Sequence, residues 1–271
     1  MKKFSIWCAA AVAALLAGCG DGPKKAAAPS VNKDRAGEAE CLYQKGRDYF
    51  EKFDFEESLR CYRRAAALGS AKALCEIGMF YHKGLLVEKD EKLAGKYFEE
   101  AEPGLLKLAK EGDAKAKLDL SFCYAHFLAL EKYWYWRDKA LAGFRAAAER
   151  GDAESQFQHA LFLQDDDPAE ALKWLRKASE QGYAKATFAI GIAYGNGLGV
   201  KQNEEEAMKW FHLAAERGYP PAEIAIAEYF EYEKKDLPEA LKWYRRAAKR
   251  GDKLAERLLR EHEKAAKESK E

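Results

Sequence analysis

The histidines of this sequence are the side chains best suited to bind a metal, but their spacing argues against a site. The chain contains five of them: His82, His126, His159, His212 and His262. No two lie three or four residues apart, and none stands beside a cluster of cysteines, which are the usual arrangements of metal ligands. We therefore predict no metal site, no other cofactor and no catalytic centre.

Three short segments imitate functional motifs without the context that those motifs need. Ser30 and Lys33 match Ser-x-x-Lys, but they lie where nothing could lower the pKa of the lysine. The loop 195–199 contains three glycines but follows no strand and precedes no Lys-Thr pair, so it is better explained as a turn. The aspartates at 165–167 lack downstream calcium ligands and favour a helix N-terminus. A β-lactamase-like hydrolase is thus the weakest functional alternative.

The first residues are typical of an export signal. Met1-Lys2-Lys3 precedes an apolar run over 4–16, which is too short to span the roughly 30 Å hydrocarbon layer of a membrane. A short basic segment followed by a short apolar one indicates a signal peptide, which we place at residues 1–18.

The junction that follows resembles the lipobox of bacterial lipoproteins. Residues 16–19 read Leu-Ala-Gly-Cys and match it at all four positions. The resemblance implies that Cys19 becomes the lipidated N-terminus, anchored by at least two acyl chains. Gly20, which stands where an aspartate would retain the protein at the inner membrane, favours the periplasmic face of the outer membrane. Residues 19–35 then form a predicted flexible tether.

The rest of the chain is periodic. Glycines that follow predicted helices recur at roughly 30–45-residue intervals, a period that indicates helix-pair repeats. They are Gly69, Gly112, Gly151, Gly182, Gly218 and Gly251. Asx-x-x-Glu patterns mark helix starts at Asp54, Asp167, Asn203 and Asp236. In each of these helices small and aromatic residues alternate at helical spacing, and we expect Trp210 to fill the core of its helix pair.

The clearest unit, residues 186–218, resembles the Sel1-like repeat, a relative of the tetratricopeptide repeat. Its Ala186, Gly191, Trp210 and Gly218 stand among the residues that carry this resemblance. The resemblance implies an all-α fold: a right-handed α-α superhelix, or solenoid, of antiparallel helix pairs. We place about six repeats over residues 36–255, followed by a capping helix and tail over 256–271.

Two copies depart from the pattern. The second contains Pro103, which predicts a break or kink in its second helix. The third has Gly143 in place of the aromatic residue and adds four consecutive aromatics over 133–136. Because helical residues turn by about 100° each, these four cannot share one face. Trp134 and Tyr135 either bind a partner or pack against their own enlarged repeat, and the sequence leaves both alternatives open.

Cysteines 41, 61, 75 and 123 would enter a compartment that permits disulfides. A bridge between Cys61 and Cys75, on consecutive antiparallel helices, is one prediction. The alternative, which the sequence favours, is that Cys61 and Cys41 act as small buried apolar residues.

The charge balance excludes one class of partner. The chain has 46 basic and 45 acidic residues, evenly mixed, whereas nucleic-acid binding needs a basic excess on one face. We expect no nucleic acid and no small-molecule ligand. The leading hypothesis is a membrane-tethered envelope scaffold that binds proteins through a helical-repeat groove, and the second is a peptidoglycan- or glycan-binding lipoprotein.

Overall fold

The structure, a computed structural model, describes residues 33–84, 86 and 88–268. Within them the chain forms thirteen α-helices and no strand, so the predicted all-α class is confirmed. The helices are α1 (Lys33–Glu51), α2 (Phe55–Ala67), α3 (Ala71–Lys83), α4 (Glu91–Lys110), α5 (Ala114–His126), α6 (Leu130–Glu149), α7 (Ala153–Leu163), α8 (Pro168–Glu180), α9 (Ala184–Asn196), α10 (Glu204–Glu216), α11 (Pro220–Glu228), α12 (Leu237–Lys249) and α13 (Lys253–Glu268). The predicted signal peptide, Cys19 and Ser30 lie outside the described residues. Helix α1 already begins at Lys33, so the end of the predicted tether is helical.

The helix termini follow the capping signals of the sequence. The side chains of Asp54, Asp167, Asn203 and Asp236 each accept a hydrogen bond from the backbone N–H three residues later, at 3.0–3.3 Å. All six repeat-closing glycines have positive φ, between 82° and 105°, where a side chain would be strained. These local signals therefore fix where most helices begin and end.

In three of the helix pairs, a glycine of the first helix lets an aromatic ring of the second helix approach. A Cβ atom added to Gly46, Gly78 or Gly191 would lie only 2.5–2.6 Å from a ring atom of the facing aromatic residue. The contacts are Gly46 with Tyr62, Gly78 with Phe98, and Gly191 with Phe211. This repeated glycine–aromatic contact holds the two helices of a pair close together.

That contact corrects the expectation for Trp210. Phe211 is only 4% exposed, whereas Trp210 is half-buried and the guanidinium of Arg176 lies 5.6 Å from its ring centroid. One residue is a rotation of about 100° on a helix, so only one of the two can face Gly191. The core position belongs to Phe211.

Pro103 does not break its helix. Helix α4 runs through it without interruption, and Pro103 lies on the exposed side. The backbone carbonyl that loses its helical partner there can be hydrated, which limits the energetic penalty of the proline.

The described residues form two compact units, divided between Gly143 and Phe144 inside α6. In the first unit one cluster of buried residues runs from Leu42 to Tyr124. In the second, three successive clusters follow the chain from Phe157 to Ala255. Each unit thus has its own core, as expected of stacked repeats.

The turns inside the pairs are less regular. Gly84 and Gly197 are left-handed, as is common after a helix, but Phe53, Leu128 and Lys235 also have φ near 55°. A π-helical turn, Tyr229–Glu233, extends α11, and the sequence patterns gave no sign of it. The within-pair turns are therefore where this chain departs most from ideal repeat geometry.

Candidate functional site

Exposed apolar side chains are concentrated around the turn between α5 and α6. Of the ten large apolar residues that are exposed among the described residues, six fall within residues 122–135. They are Phe122, Phe127, Leu128, Leu130, Trp134 and Tyr135, and we call them the α5–α6 patch. Exposed apolar side chains clustered in one segment are typical of binding surfaces rather than of scattered surface residues.

The turn itself presents Leu128 to solvent. The Leu128 N–H donates to the carbonyl of Ala125 at 3.1 Å, and the Ala129 N–H donates to that of Tyr124 at 2.9 Å. This tight closure gives Leu128 its φ of 54° and leaves it 80% exposed.

Helical periodicity divides the four aromatics of α6 into two pairs. Tyr133 and Trp136 are partly buried against the core of the first unit, whereas Trp134 and Tyr135 are 51% and 55% exposed. About half of each of these two side chains is therefore open to solvent. The buried pair supports the exposed one: the rings of Tyr133 and Trp134 meet edge to face, with centroids 4.8 Å apart.

Cations cover one face of each exposed ring. Arg137 lies 5.2 Å from the ring centroid of Trp134, and Lys139 lies 5.6 Å from that of Tyr135. At exposed sites such contacts are worth about 0.5–1 kcal/mol. They bias the orientation of the rings and place one cation beside each of them.

The cysteines are arranged differently from the predicted bridge. All four described cysteines are free. The sulfur of Cys75 lies 3.8 Å from that of Cys123, so the structure brings Cys75 to a cysteine other than its predicted partner, Cys61. The hydrogen bond to Cys123, together with burial, raises the pKa of the Cys75 thiol well above its usual value, so Cys75 is a thiol at neutral pH.

Buried carboxylates occur at two helix junctions. In the first unit, Asp119 lies against the ammonium group of Lys115, yet burial still raises the pKa of Asp119 to about 6. In the second unit, fully buried Glu223 is paired with Arg246 at 2.6 Å and Arg250 at 3.0 Å. A carboxylate buried in this way is structurally sensitive, because removing its cation leaves an unpaired charge in the core.

Asp252, near this second network, caps the start of α13. Its Oδ1 accepts the N–H of Ala255 at 2.9 Å, while its Oδ2 has no hydrogen-bond partner. Burial raises the pKa of Asp252 to about 7, so this side chain titrates near neutral pH.

The histidines give the clearest departure from the sequence-based expectation. We predicted no metal site, but the structure brings His82, Glu91 and His126 together, with their candidate ligand atoms all within 4.8 Å of one another. Local spacing could not reveal this group, because the two histidines come from successive repeats. The only available signal was that both stand at the end of the first helix of their pair.

A family model for the Sel1 repeat matches five segments of the chain: residues 35–70, 71–102, 153–183, 184–219 and 220–252. Together they make up more than half of the sequence. The chain belongs to the Sel1 repeat family. The segments correspond to the pairs α1–α2, α7–α8, α9–α10 and α11–α12 and to α3 with the first part of α4. Residues 103–152, which hold the end of α4 together with α5 and α6, are left unmatched. Sel1 repeat proteins generally mediate protein–protein interactions and are typically not catalytic.

Individual relatives show the same repeat. An F-box protein of Arabidopsis thaliana, At1g70590, is 34% identical over 70 residues, which are 23% of this chain and 20% of that protein. This chain therefore matches only about a fifth of the length of that relative. A Sel1 repeat protein from Oxalobacter formigenes has a crystal structure with 27% identity, a TM-score of 0.44, and coverage of 92% of this chain and 78% of that one.

A third similar structure is c5321, a protective antigen of uropathogenic Escherichia coli strains with an SLR fold. It is 23% identical, with a TM-score of 0.40, over 82% of this chain and 48% of that one.

None of the helices in the described residues combines the length and apolarity that a bilayer crossing would require.

Proposed function

We propose that this chain is a non-catalytic scaffold that binds a protein partner through the α5–α6 patch and is held at the bacterial envelope by a lipid on Cys19. One observation carries the binding part. The only stretch of the repeat array without a family match, residues 103–152, is also where the exposed apolar side chains are concentrated. A repeat that departs from the family pattern and exposes aromatic side chains is suited to a role other than stacking.

The chemistry of the patch favours a protein over a sugar. Tryptophan and tyrosine are enriched in the energetically dominant positions of protein interfaces. Sugar stacking needs open ring faces, and here Arg137 and Lys139 cover one face of each ring. Apolar side chains with a cation beside each exposed ring suit a partner segment that is apolar and carries acidic residues. Glycan binding is the second candidate, because Trp134 and Tyr135 are exposed aromatic side chains.

The test of the patch compares two double variants of the full-length chain. Trp134→Ser with Tyr135→Ser removes the aromatic centre of the patch. Tyr232→Ser with Leu237→Ser is the matched control, because these residues are 58% and 40% exposed but lie outside the patch. We expect both variants to keep the melting temperature within a few degrees, and only the first to reduce partner recovery from detergent-solubilised envelope.

Each other outcome has a defined meaning. If the first variant melts many degrees lower than the control, its side chains support the fold and the binding proposal is wrong. If it loses retention of purified muropeptides while protein recovery is unchanged, the glycan alternative replaces it. If neither variant changes recovery, the patch is not the binding surface.

The envelope anchor has a separate test. The lipobox resemblance predicts that mass spectrometry of the mature protein shows loss of residues 1–18 and added acyl mass on Cys19. A Cys19→Ala variant should then leave the membrane fraction. A mature chain that begins elsewhere, without acyl mass, would remove the anchor from the proposal and leave the binding surface untouched.

A further inference from the structure

The end of α3, the start of α4 and the end of α5 meet at a cluster of three side chains that could share one cation. His82 is the penultimate residue of α3, Glu91 is the first residue of α4, and His126 is the last residue of α5. Both Nδ1 atoms face the same carboxylate oxygen, Oε2 of Glu91: that of His82 at 2.7 Å and that of His126 at 3.5 Å. The two imidazole rings meet edge to face, with centroids 5.5 Å apart.

One member of the cluster is held rigidly. The ring of His126 contacts Phe98 and Phe127 edge to face, at centroid distances of 5.0 and 5.2 Å, and also hydrogen-bonds the backbone of Glu91. Gly95 leaves room for it, because a Cβ atom there would lie 3.2 Å from Nε2 of His126. Metal-binding histidines typically have the second ring nitrogen fixed by a backbone or carboxylate group, which orients the first.

The other two members can adjust. The side chains of His82 and Glu91 are 39% and 47% exposed, compared with 14% for His126. Lys89 binds the other carboxylate oxygen, Oε1, at 2.6 Å, so Oε2 stays directed at the histidines. Ligands of one tetrahedral zinc ion lie about 3.3 Å apart. The present separations, up to 4.8 Å, therefore need side-chain movements on the order of 1 Å.

We propose that His82, Glu91 and His126 form a binding site for a divalent transition-metal ion, zinc being the best fit. Two imidazole nitrogens and one carboxylate oxygen are a three-ligand set that zinc accepts, with a fourth position open to water or another ligand. The bound ion would join two consecutive helix pairs, because α3 and α4 belong to one and α5 to the next. It would also fix the residue that directly precedes Phe127 of the α5–α6 patch.

The test uses the untagged, full-length chain, stripped with a chelator and titrated with zinc chloride alone. We expect saturable binding of one ion per chain and a rise in melting temperature on zinc addition, because a ligand that binds only the folded state stabilises it. His82→Gln and Glu91→Gln each remove one ligand from an exposed side chain and should weaken binding by at least about tenfold. His262→Gln is the control, since His262 also pairs with a carboxylate, Glu231, at 3.3 Å but has no second histidine. Its affinity should equal that of the wild type.

Cobalt(II) provides a second readout that does not depend on stability. Cobalt at this site should give the visible bands of a low-coordinate complex with nitrogen and oxygen ligands, without sulfur charge-transfer absorption. Sulfur bands, or zinc affinity unchanged in both ligand variants, would place the ion elsewhere, for example at Cys75 and Cys123, and would overturn the proposal. Absence of saturable zinc binding would overturn it as well. None of these outcomes bears on partner binding by Trp134 and Tyr135.

Discussion

A single methyl group at position 191 tests the glycine–aromatic contact that brings α9 and α10 together. In Gly191→Ala the new Cβ would lie 2.5 Å from Cε1 and 2.6 Å from Cδ1 of Phe211, and 3.2 Å from the carbonyl oxygen of Ala207. Ordinary contacts between carbon atoms are about 3.5–4.0 Å. The ring cannot easily retreat, because Phe211 is 4% exposed and packs against Phe188 with centroids 5.2 Å apart.

Two opposing effects set the magnitude. Overpacking a well-filled core costs about 1–3 kcal/mol, and two sub-contact distances place this site in the upper part of that range. Replacing glycine by alanine inside a helix stabilises by about 1 kcal/mol. We therefore expect Gly191→Ala to lower the free energy of unfolding by about 1–2 kcal/mol.

The assay is chemical denaturation monitored by far-UV circular dichroism, with Gly37→Ala as the matched control. Gly37 is also helical, but a Cβ there would meet nothing within 4 Å, so this variant should be neutral or slightly more stable. A cycle with Phe211→Leu should show coupling, because the smaller, rotatable side chain relieves the clash. The reasoning about the glycine–aromatic contact would be refuted if Gly191→Ala were as stable as Gly37→Ala, or if the cycle showed no coupling between positions 191 and 211.

Three further predictions follow from the same structure. Phe211→Ala should reduce the free energy of unfolding by about 3–5 kcal/mol and half-buried Trp210→Ala by clearly less; equal losses in denaturant titration would contradict the assignment of the core face. Because burial raises the pKa of Asp252 to about 7 from an ordinary value near 4, the folded chain binds a proton that the unfolded chain has already lost, and stability falls as pH rises from about 4 to 7. Asp252→Asn keeps the helix cap and should flatten this fall, with a gain of at most about 4 kcal/mol above pH 7; a pH profile of unfolding identical to the wild type would count against it. Mild oxidation followed by peptide mapping should join Cys75 to Cys123, whose sulfurs lie 3.8 Å apart, and recovery of a Cys61–Cys75 peptide instead would contradict the observed arrangement.

The sequence predicted the helices well because their signals are local. An Asx cap such as Asp167 acts within three residues of itself, and a glycine such as Gly182 marks a left-handed backbone wherever it occurs. The faces of the helices were predicted less well. Trp210 and Phe211 differ by one position, and only the partner helix, through Gly191, decides which of them is buried.

The candidate sites also differ in whether they depend on one helix or on the packing of several helices. The exposure of Trp134 and Tyr135 is a property of one helix, so periodicity could limit it to two alternatives. The approach of His82 to His126, and of Cys75 to Cys123, depends on how successive repeats are stacked. No spacing rule within a single helix contains that information, because the residues in each pair are more than one repeat apart.

Leu128, in the turn between α5 and α6, adopts a backbone conformation that favours glycine but carries a large exposed side chain. Two other pairs have a glycine in the corresponding turn, Gly84 and Gly197. Leu128, like Phe53 and Lys235, adopts a positive φ with a side chain, at 54°. A side chain in that backbone region raises the energy by about 1–2 kcal/mol, and at 80% exposure burial returns almost none of it. Position 128 is therefore a useful site for protein engineering. Leu128→Gly should raise the stability of the fold and reduce the contact area of the α5–α6 patch. The native leucine lowers the stability of the fold and enlarges the apolar surface that is available for contact.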